Sequence, residues 1–174
     1  METIAVFCSA SDKLDPKYAE AARELVSGLC RKGYGIVSGG SWRGTMGVVS
    51  DTARDCGGHH KGVLPDFLAS FVYDGLDQTV WTPTMAARKE EIRSGTKAAI
   101  ALPGGIGTLD ELIETQVLIK LGQYHGRLIL LDTDGFYAPF RALLDHYVCE
   151  HMLSPADRSI VEFFATPAEL LATL

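Results

Sequence analysis

Nowhere in the 174 residues is there a run of about 18 apolar side chains, the length a helix needs to cross a bilayer, so no membrane span is expected. The opening stretch, METIAVFCSASDK, has no basic region followed by an apolar one. No secretory signal is therefore expected, and the cytoplasm is the expected compartment. Cysteine is scarce: Cys8, Cys30, Cys56 and Cys149 show no CxxC spacing and read as buried reduced thiols, not as a disulfide scaffold. The five histidines (His59, His60, His125, His146 and His151) have neither HExxH nor Cys/His ligand spacing, so no metal is expected. The pair His59-His60, following Gly57-Gly58, reads as a solvated turn. Basic clusters are missing too. With 16 Lys and Arg against 22 Asp and Glu, the net charge of −6 repels a nucleic-acid polymer. Repeats, linkers and low-complexity segments are also lacking.

What is present is an ordinary globular composition, 47% hydrophobic and 22% charged, in a length that fits one domain over residues 1–174. Short apolar runs alternate with amphipathic stretches. Strands are expected at Thr3–Cys8, Tyr34–Ser38, Gly62–Leu64, Thr79–Trp81, Ala98–Leu102 and Leu128–Leu131. Helices are expected at Pro16–Lys32, Thr45–Cys56, Thr84–Gly95, Thr108–Leu121 and Phe136–Glu150, with a short last one from Pro167. Strands apolar along their whole length, each followed by a helix, imply a parallel sheet covered on both faces. The expected fold is α/β, a Rossmann-like, doubly wound parallel sheet in a three-layer α/β/α arrangement. In such folds ligands bind beyond the carboxyl ends of the strands. The loops after Cys8, Ser38 and Leu102 therefore frame the candidate site.

Two of those loops are rich in glycine. The first, Gly39-Gly40-Ser41-Trp42-Arg43-Gly44-Thr45-Met46-Gly47, has neither the Lys-Ser/Thr ending of a phosphate-binding P-loop nor a GxGxxG pattern. Its glycines serve a tight strand-to-helix turn or close approach to a ligand, with equal weight. Trp42 fits stacking on a purine as well as shielding of that turn. The second, Pro103-Gly104-Gly105-Ile106-Gly107-Thr108-Leu109-Asp110-Glu111, leaves a buried strand and opens a helix. Free N–H groups and the helix dipole there attract phosphate. Thr108 and Glu111 have the spacing of a Thr-x-x-Glu capping box, the bland alternative for both. Arg88 and Lys89 sit near the start of their helix, with Thr84 as N-cap, where the dipole disfavours cations. The functional reading and a salt bridge from Arg88 to Glu91 weigh equally.

Together these segments resemble the LOG family, the cytokinin riboside 5′-monophosphate phosphoribohydrolases, long labelled lysine decarboxylases. The resemblance runs from Phe7-Cys8-Ser9-Ala10-Ser11 through Gly39–Gly47 and Met85-x-x-Arg88-Lys89 to Asp134-Gly135-Phe136-Tyr137. Its specific part is PGGxGTxxE, intact from Pro103 to Glu111. It implies a homodimer that binds a small nucleotide and hydrolyses its N-glycosidic bond without a cofactor, with Arg88 and Glu111 catalytic. It also implies binding roles for Ser9, Gly39, Gly40, Gly44, Thr45, Met46 and Lys89. Pro103, Gly104, Gly105, Ile106, Gly107, Thr108 and Asp110 complete the implied phosphate and substrate set. The chain departs from the family in Ser9-Ala10, in Gly39-Gly40-Ser41, at Ala86 and Ala87 before the Arg-Lys pair, and in Val117–Lys120. These differences fall on the base side.

Cleavage of a ribosyl–base bond builds positive charge on the sugar, which calls for a carboxylate. Glu111, at a helix N-terminus, is expected to be held ionised by the dipole and nearby N–H groups. Two other classes compete. One is a nucleotide-binding sensor or carrier without hydrolysis. The other is a pyridoxal-phosphate decarboxylase, whose Schiff-base lysine would be Lys61, Lys89, Lys97 or Lys120 with no supporting motif.

Overall fold

The computed structural model describes all residues, Met1–Leu174. Seven strands form one all-parallel sheet: β1 (Thr3–Phe7), β2 (Gly35–Ser38), β3 (His60–Pro65), β4 (Gln78–Thr82), β5 (Ala98–Ala101), β6 (Arg127–Leu131) and β7 (Val161–Phe164). Their spatial order is β4-β3-β2-β1-β5-β6-β7. Chain order reverses between β1 and β5, where a doubly wound sheet opens a crevice at its carboxyl edge. The helices are α1 (Pro16–Arg31), α2 (Gly44–Asp55), α3 (Met85–Arg93), α4 (Ile106–Lys120), α5 (Ala138–Cys149), α6 (Pro155–Arg158) and α7 (Pro167–Leu171).

Strand side chains alternate between two cores because successive Cβ atoms point to opposite faces. Ile4, Val6, Ile100, Ile129 and Leu131 pack with Leu25, Val26 and Leu29 of α1, Val49 of α2 and Leu170 of α7. Ala5, Phe7, Ala99, Ala101, Leu128 and Leu130 pack on the other face with Ile92 of α3, Leu112 of α4 and Leu144 of α5. Both sets are buried, which is why the central strands read as unbroken apolar runs.

The structure corrects several expectations. β7 pairs with β6 but was not foreseen, since only Val161 of its four residues is buried and an edge strand needs no apolar run. His60 is not in a solvated turn: it lies in β3, is 3% exposed, and shares a hydrogen bond with Ser38 Oγ (2.8 Å). Cys56 and Cys149 are exposed free thiols, because each sits on the outer side of a helix end; only Cys8 is fully buried. No helix is long and apolar enough to cross a membrane.

Candidate functional site

Beyond the carboxyl ends of β1, β2 and β5 lies a cavity of about 380 Å³. Of the residues singled out in the sequence, Ser9, Gly39, Met46 and Arg88 line it, together with Gly105, Gly107, Thr108 and Glu111 of the second glycine loop. The remaining candidates do not line it. Thr45 Oγ1 accepts the Ser9 N–H (2.9 Å) and donates to the Ser9 carbonyl (3.2 Å), tying the start of α2 to the loop after β1. The Gly44 N–H donates to Asp12 Oδ1 (2.9 Å), and the Gly40 carbonyl accepts the Tyr73 N–H (2.8 Å). Pro103 is buried and Gly104 is packed against Thr108, whereas Ile106 is 82% exposed. Sequence reasoning missed Leu68, on a 3₁₀ segment (Asp66–Phe71) with no pattern of its own.

Two elements bring the central pair together. Arg88 comes from the second turn of α3, whose N-cap Thr84 accepts the Ala87 N–H (3.1 Å) as expected. Glu111 comes from α4. Arg88 Nη1 donates to Glu111 Oε1 (2.8 Å), and Nε donates to the Val63 carbonyl (3.1 Å). Both side chains are nearly inaccessible, at 10% and 8% exposure. A buried ion pair whose guanidinium is also fastened to a backbone carbonyl is held in one geometry, and removing either partner leaves a costly uncompensated charge. The Arg88–Glu91 bridge, one of two equally weighted readings of the sequence, does not form; Glu91 instead accepts from Lys61 Nζ (2.6 Å). Lys89 is held by Asp110 (2.9 Å) and Glu114 (3.4 Å), and Arg93 meets Glu114 (2.6 Å). Acidic residues of α4 thus satisfy Arg88 and Lys89, the cations that the α3 dipole disfavours, and also Arg93 in its last turn.

The capping box is not formed. α4 begins at Ile106 with Gly105 as N-cap and no side-chain cap, so Thr108 and Glu111 lie inside the helix. Nor is Glu111 governed by the dipole. Burial pushes its carboxyl above the usual glutamate range, while the Arg88 guanidinium pulls it down. Beside it, burial likewise raises the Cys8 thiol, which leaves that cysteine protonated and unreactive. The first turn of α4 has no side-chain cap, and its residues Gly107 and Thr108, with the N-cap Gly105, line the cavity; an open helix N-terminus is an arrangement that favours an anion. Below it, Tyr137 Oη donates to the Leu102 carbonyl (2.7 Å), and Asp132 Oδ1 accepts the Tyr137 N–H (2.6 Å). That anchors the strand end from which the glycine loop departs.

An α/β crevice with an uncapped helix N-terminus beside a buried carboxylate–guanidinium pair defines the class: a doubly wound α/β protein with a small-molecule site at the carboxyl edge of its sheet. The family described as "Possible lysine decarboxylase" matches residues 46–174. The rice cytokinin riboside 5′-monophosphate phosphoribohydrolase LOG (Oryza sativa subsp. japonica) is 36% identical over 98% of this chain and 72% of its own length. The Arabidopsis thaliana enzyme LOG3 is 35% identical over 98% of this chain and 80% of its own. The chain belongs to the LOG family of phosphoribohydrolases. In fold it is also similar to the molybdenum cofactor binding protein of Rippkaea orientalis, with a TM-score of 0.74 at 22% identity over 99% of this chain and 94% of that one.

Proposed function

We propose that the chain hydrolyses the N-glycosidic bond of a nucleoside 5′-monophosphate such as AMP, giving the free base and ribose 5-phosphate. The observation that carries this reading is the buried Arg88–Glu111 pair beside the open N-terminus of α4. The phosphate sits on the N–H groups at Gly105 and Gly107, with Thr108 beside it. Anchoring that remote group supplies binding energy for the reacting centre. Arg88 keeps Glu111 ionised against its burial and fixes Oε1, leaving Oε2 for the sugar. The carboxylate then stabilises the oxocarbenium-like charge and orients the water whose oxygen bonds to C1′ as the bond to the base nitrogen breaks.

The test is incubation with AMP, following adenine and ribose 5-phosphate by chromatography. AMP bound but intact would favour the sensor reading. Glu111→Gln keeps the shape and an acceptor for Arg88 but loses the charge. Adenine release should fall by about 100-fold or more, with AMP still bound. Wild-type turnover in that variant would remove Glu111 from the chemistry. Because burial raises its carboxyl, activity should be lost on acidification at a pH above the 4.5 of an ordinary glutamate.

The same proposal includes a second copy of the chain. Ile106, Leu109, Ile113, Val117 and Leu121 recur every three or four residues along α4 and remain 37 to 82% exposed. The flanking charges of Asp110 and Glu114 are already neutralised from α3. An apolar helix stripe with its borders neutralised suits a two-fold interface, in which the same patch meets itself. Light scattering should give a dimer at micromolar concentration; a monomer would overturn this part.

A further inference from the structure

The nucleotide reading leaves the far side of the cavity unassigned, and its two walls differ in chemistry. α4 supplies Gly105, Gly107, Thr108 and Glu111. Facing them are Met46 of α2, Met85 of α3 and Leu68 of the 3₁₀ segment. Arg88 stands between the walls: a Cβ built on Gly39 would meet both its Nη2 and Met46 Sδ. With a phosphate on α4 and the sugar at Glu111, the base falls against the methionine–leucine wall. That wall carries no hydrogen-bonding side chain. The hydroxyls of the cavity lie elsewhere, on Ser9, Ser11 and Thr108, and Ser9 Oγ already accepts the Ser11 N–H (3.0 Å).

The wall's Leu68 stands on an unusual support. None of the six residues of Asp66–Phe71 is buried, and Leu68 itself departs from helical geometry (φ −107°, ψ 16°). The segment is fastened at its end, where the Phe71 carbonyl accepts the Trp42 N–H (3.1 Å). Leu68 is the one side chain of the segment that reaches the cavity. The methionines flanking it adapt their shape readily, whereas a branched leucine offers a defined stop.

We propose that Leu68 is the specificity-determining residue for the base, an apolar stop by which the site selects nucleotides by base size and not by hydrogen-bonding edge. The inference rests on the nucleotide reading above. Where a site hydrogen-bonds a substrate group, analogues lacking that group are rejected about 10⁴-fold or more, whereas apolar pockets discriminate by roughly 10–200-fold. AMP and GMP should therefore differ by less than about 100-fold in kcat/KM. In Leu68→Ala, the ratio of kcat/KM for 1,N6-etheno-AMP over AMP should rise about tenfold, and in Leu68→Phe it should fall by a similar factor. Inhibition by ribose 5-phosphate, which lacks a base, should stay unchanged in both. The proposal is overturned if both variants change the two nucleotides alike, or if ribose 5-phosphate inhibition moves with them. A wild type that cleaves no nucleotide defeats the hydrolase reading alone. Calorimetric affinities of AMP and etheno-AMP for the same variants then decide the role of Leu68. Since Leu68 is only half-buried on a segment without buried residues, both variants should keep the wild-type thermal midpoint.

Discussion

The two glycine loops look alike in sequence and serve opposite ends in the structure. In Gly39–Gly47 the glycines are places where other atoms come too close for a side chain. A Cβ on Gly47 would fall on the Trp42 carbonyl oxygen, and one on Gly44, at φ +54°, would press on the backbone oxygens of Ser11 (2.6 Å) and Ser9 (2.7 Å). In the second loop Gly104 is likewise crowded, by Thr108, but at Gly105 and Gly107 the pattern is reversed. A Cβ on Gly105 or Gly107 would meet nothing within 4 Å, and neither residue has a positive φ. Neither packing nor conformation requires glycine there, yet both line the cavity. One loop is glycine-rich because it is crowded from within; the other is crowded only at Gly104 and, at Gly105 and Gly107, keeps room for something outside the chain.

The sharpest test of this contrast is Gly47→Ala. Inside a helix such a change ordinarily stabilises by about 1 kcal/mol. Here the new methyl meets a backbone carbonyl that cannot step aside, so stability should drop by about 3 kcal/mol. Denaturant titration checks this; an unchanged or raised midpoint would show that α2 can shift and that the loop is not crowded.

How far this was legible varies by residue. The sheet was readable because both of its faces are buried, which leaves unbroken runs such as Ala98–Leu102; the pairing of β1 with β5 at the switch point was not, because long-range contacts and not order along the chain decide it. Pro103–Glu111 was readable because Gly105 and Gly107, which neither packing nor backbone conformation requires, still stand in the sequence. Gly39–Gly47 was not, because its neighbours, Trp42 and the Ser9 and Ser11 carbonyls, become neighbours only on folding. The Arg88–Glu111 pair joins residues 23 apart on different helices, so spacing along one helix pointed to Glu91 instead. The start of α4 was misplaced by two residues because Thr108 imitates an N-cap, and the capping box went with it.

A second test lies beneath the crowded loop. Ser38 Oγ accepts the Gly40 N–H (3.2 Å) and bonds His60 Nε2, while Asp77 Oδ2 accepts the His60 N–H (2.7 Å). Burial lowers the His60 ring from 6.5 to about 4, against the opposing pull of Asp77. The folded state thus resists a proton that the unfolded chain accepts, so between pH 6.5 and 4 the unfolded state binds more protons. Stability is fully present above that window and is lost as the pH falls through it. The loss from pH 7 to pH 5 should be about 2 kcal/mol. His60→Gln keeps an acceptor for Ser38 without titrating, and should remove that part of the pH dependence in urea titrations. An identical pH slope in wild type and variant would place the acid sensitivity elsewhere.

The smallest effect on stability should come from the open loop, and there the sign itself is informative. Gly107 occupies the second position of α4, with helical backbone geometry and no neighbour for a Cβ. Gly107→Ala removes backbone freedom from the unfolded chain at no cost in packing, so stability should rise by up to about 1 kcal/mol. Gly107 lines the cavity, and an added methyl would stand in open space on the turn whose N–H groups are proposed to hold phosphate. A methyl there lengthens or blocks each contact an anion makes with the first turn of α4. AMP affinity should fall by about tenfold, equivalent to about 1.4 kcal/mol, while adenosine, without a phosphate, should bind as before. Calorimetry with both ligands, beside the denaturant midpoint, separates the possibilities. A variant that is more stable and selectively blind to phosphate sharpens the contrast between the loops. One that binds AMP as tightly as the wild type would mean that Gly107 is open for no ligand, and the anion site would have to lie elsewhere along the crevice.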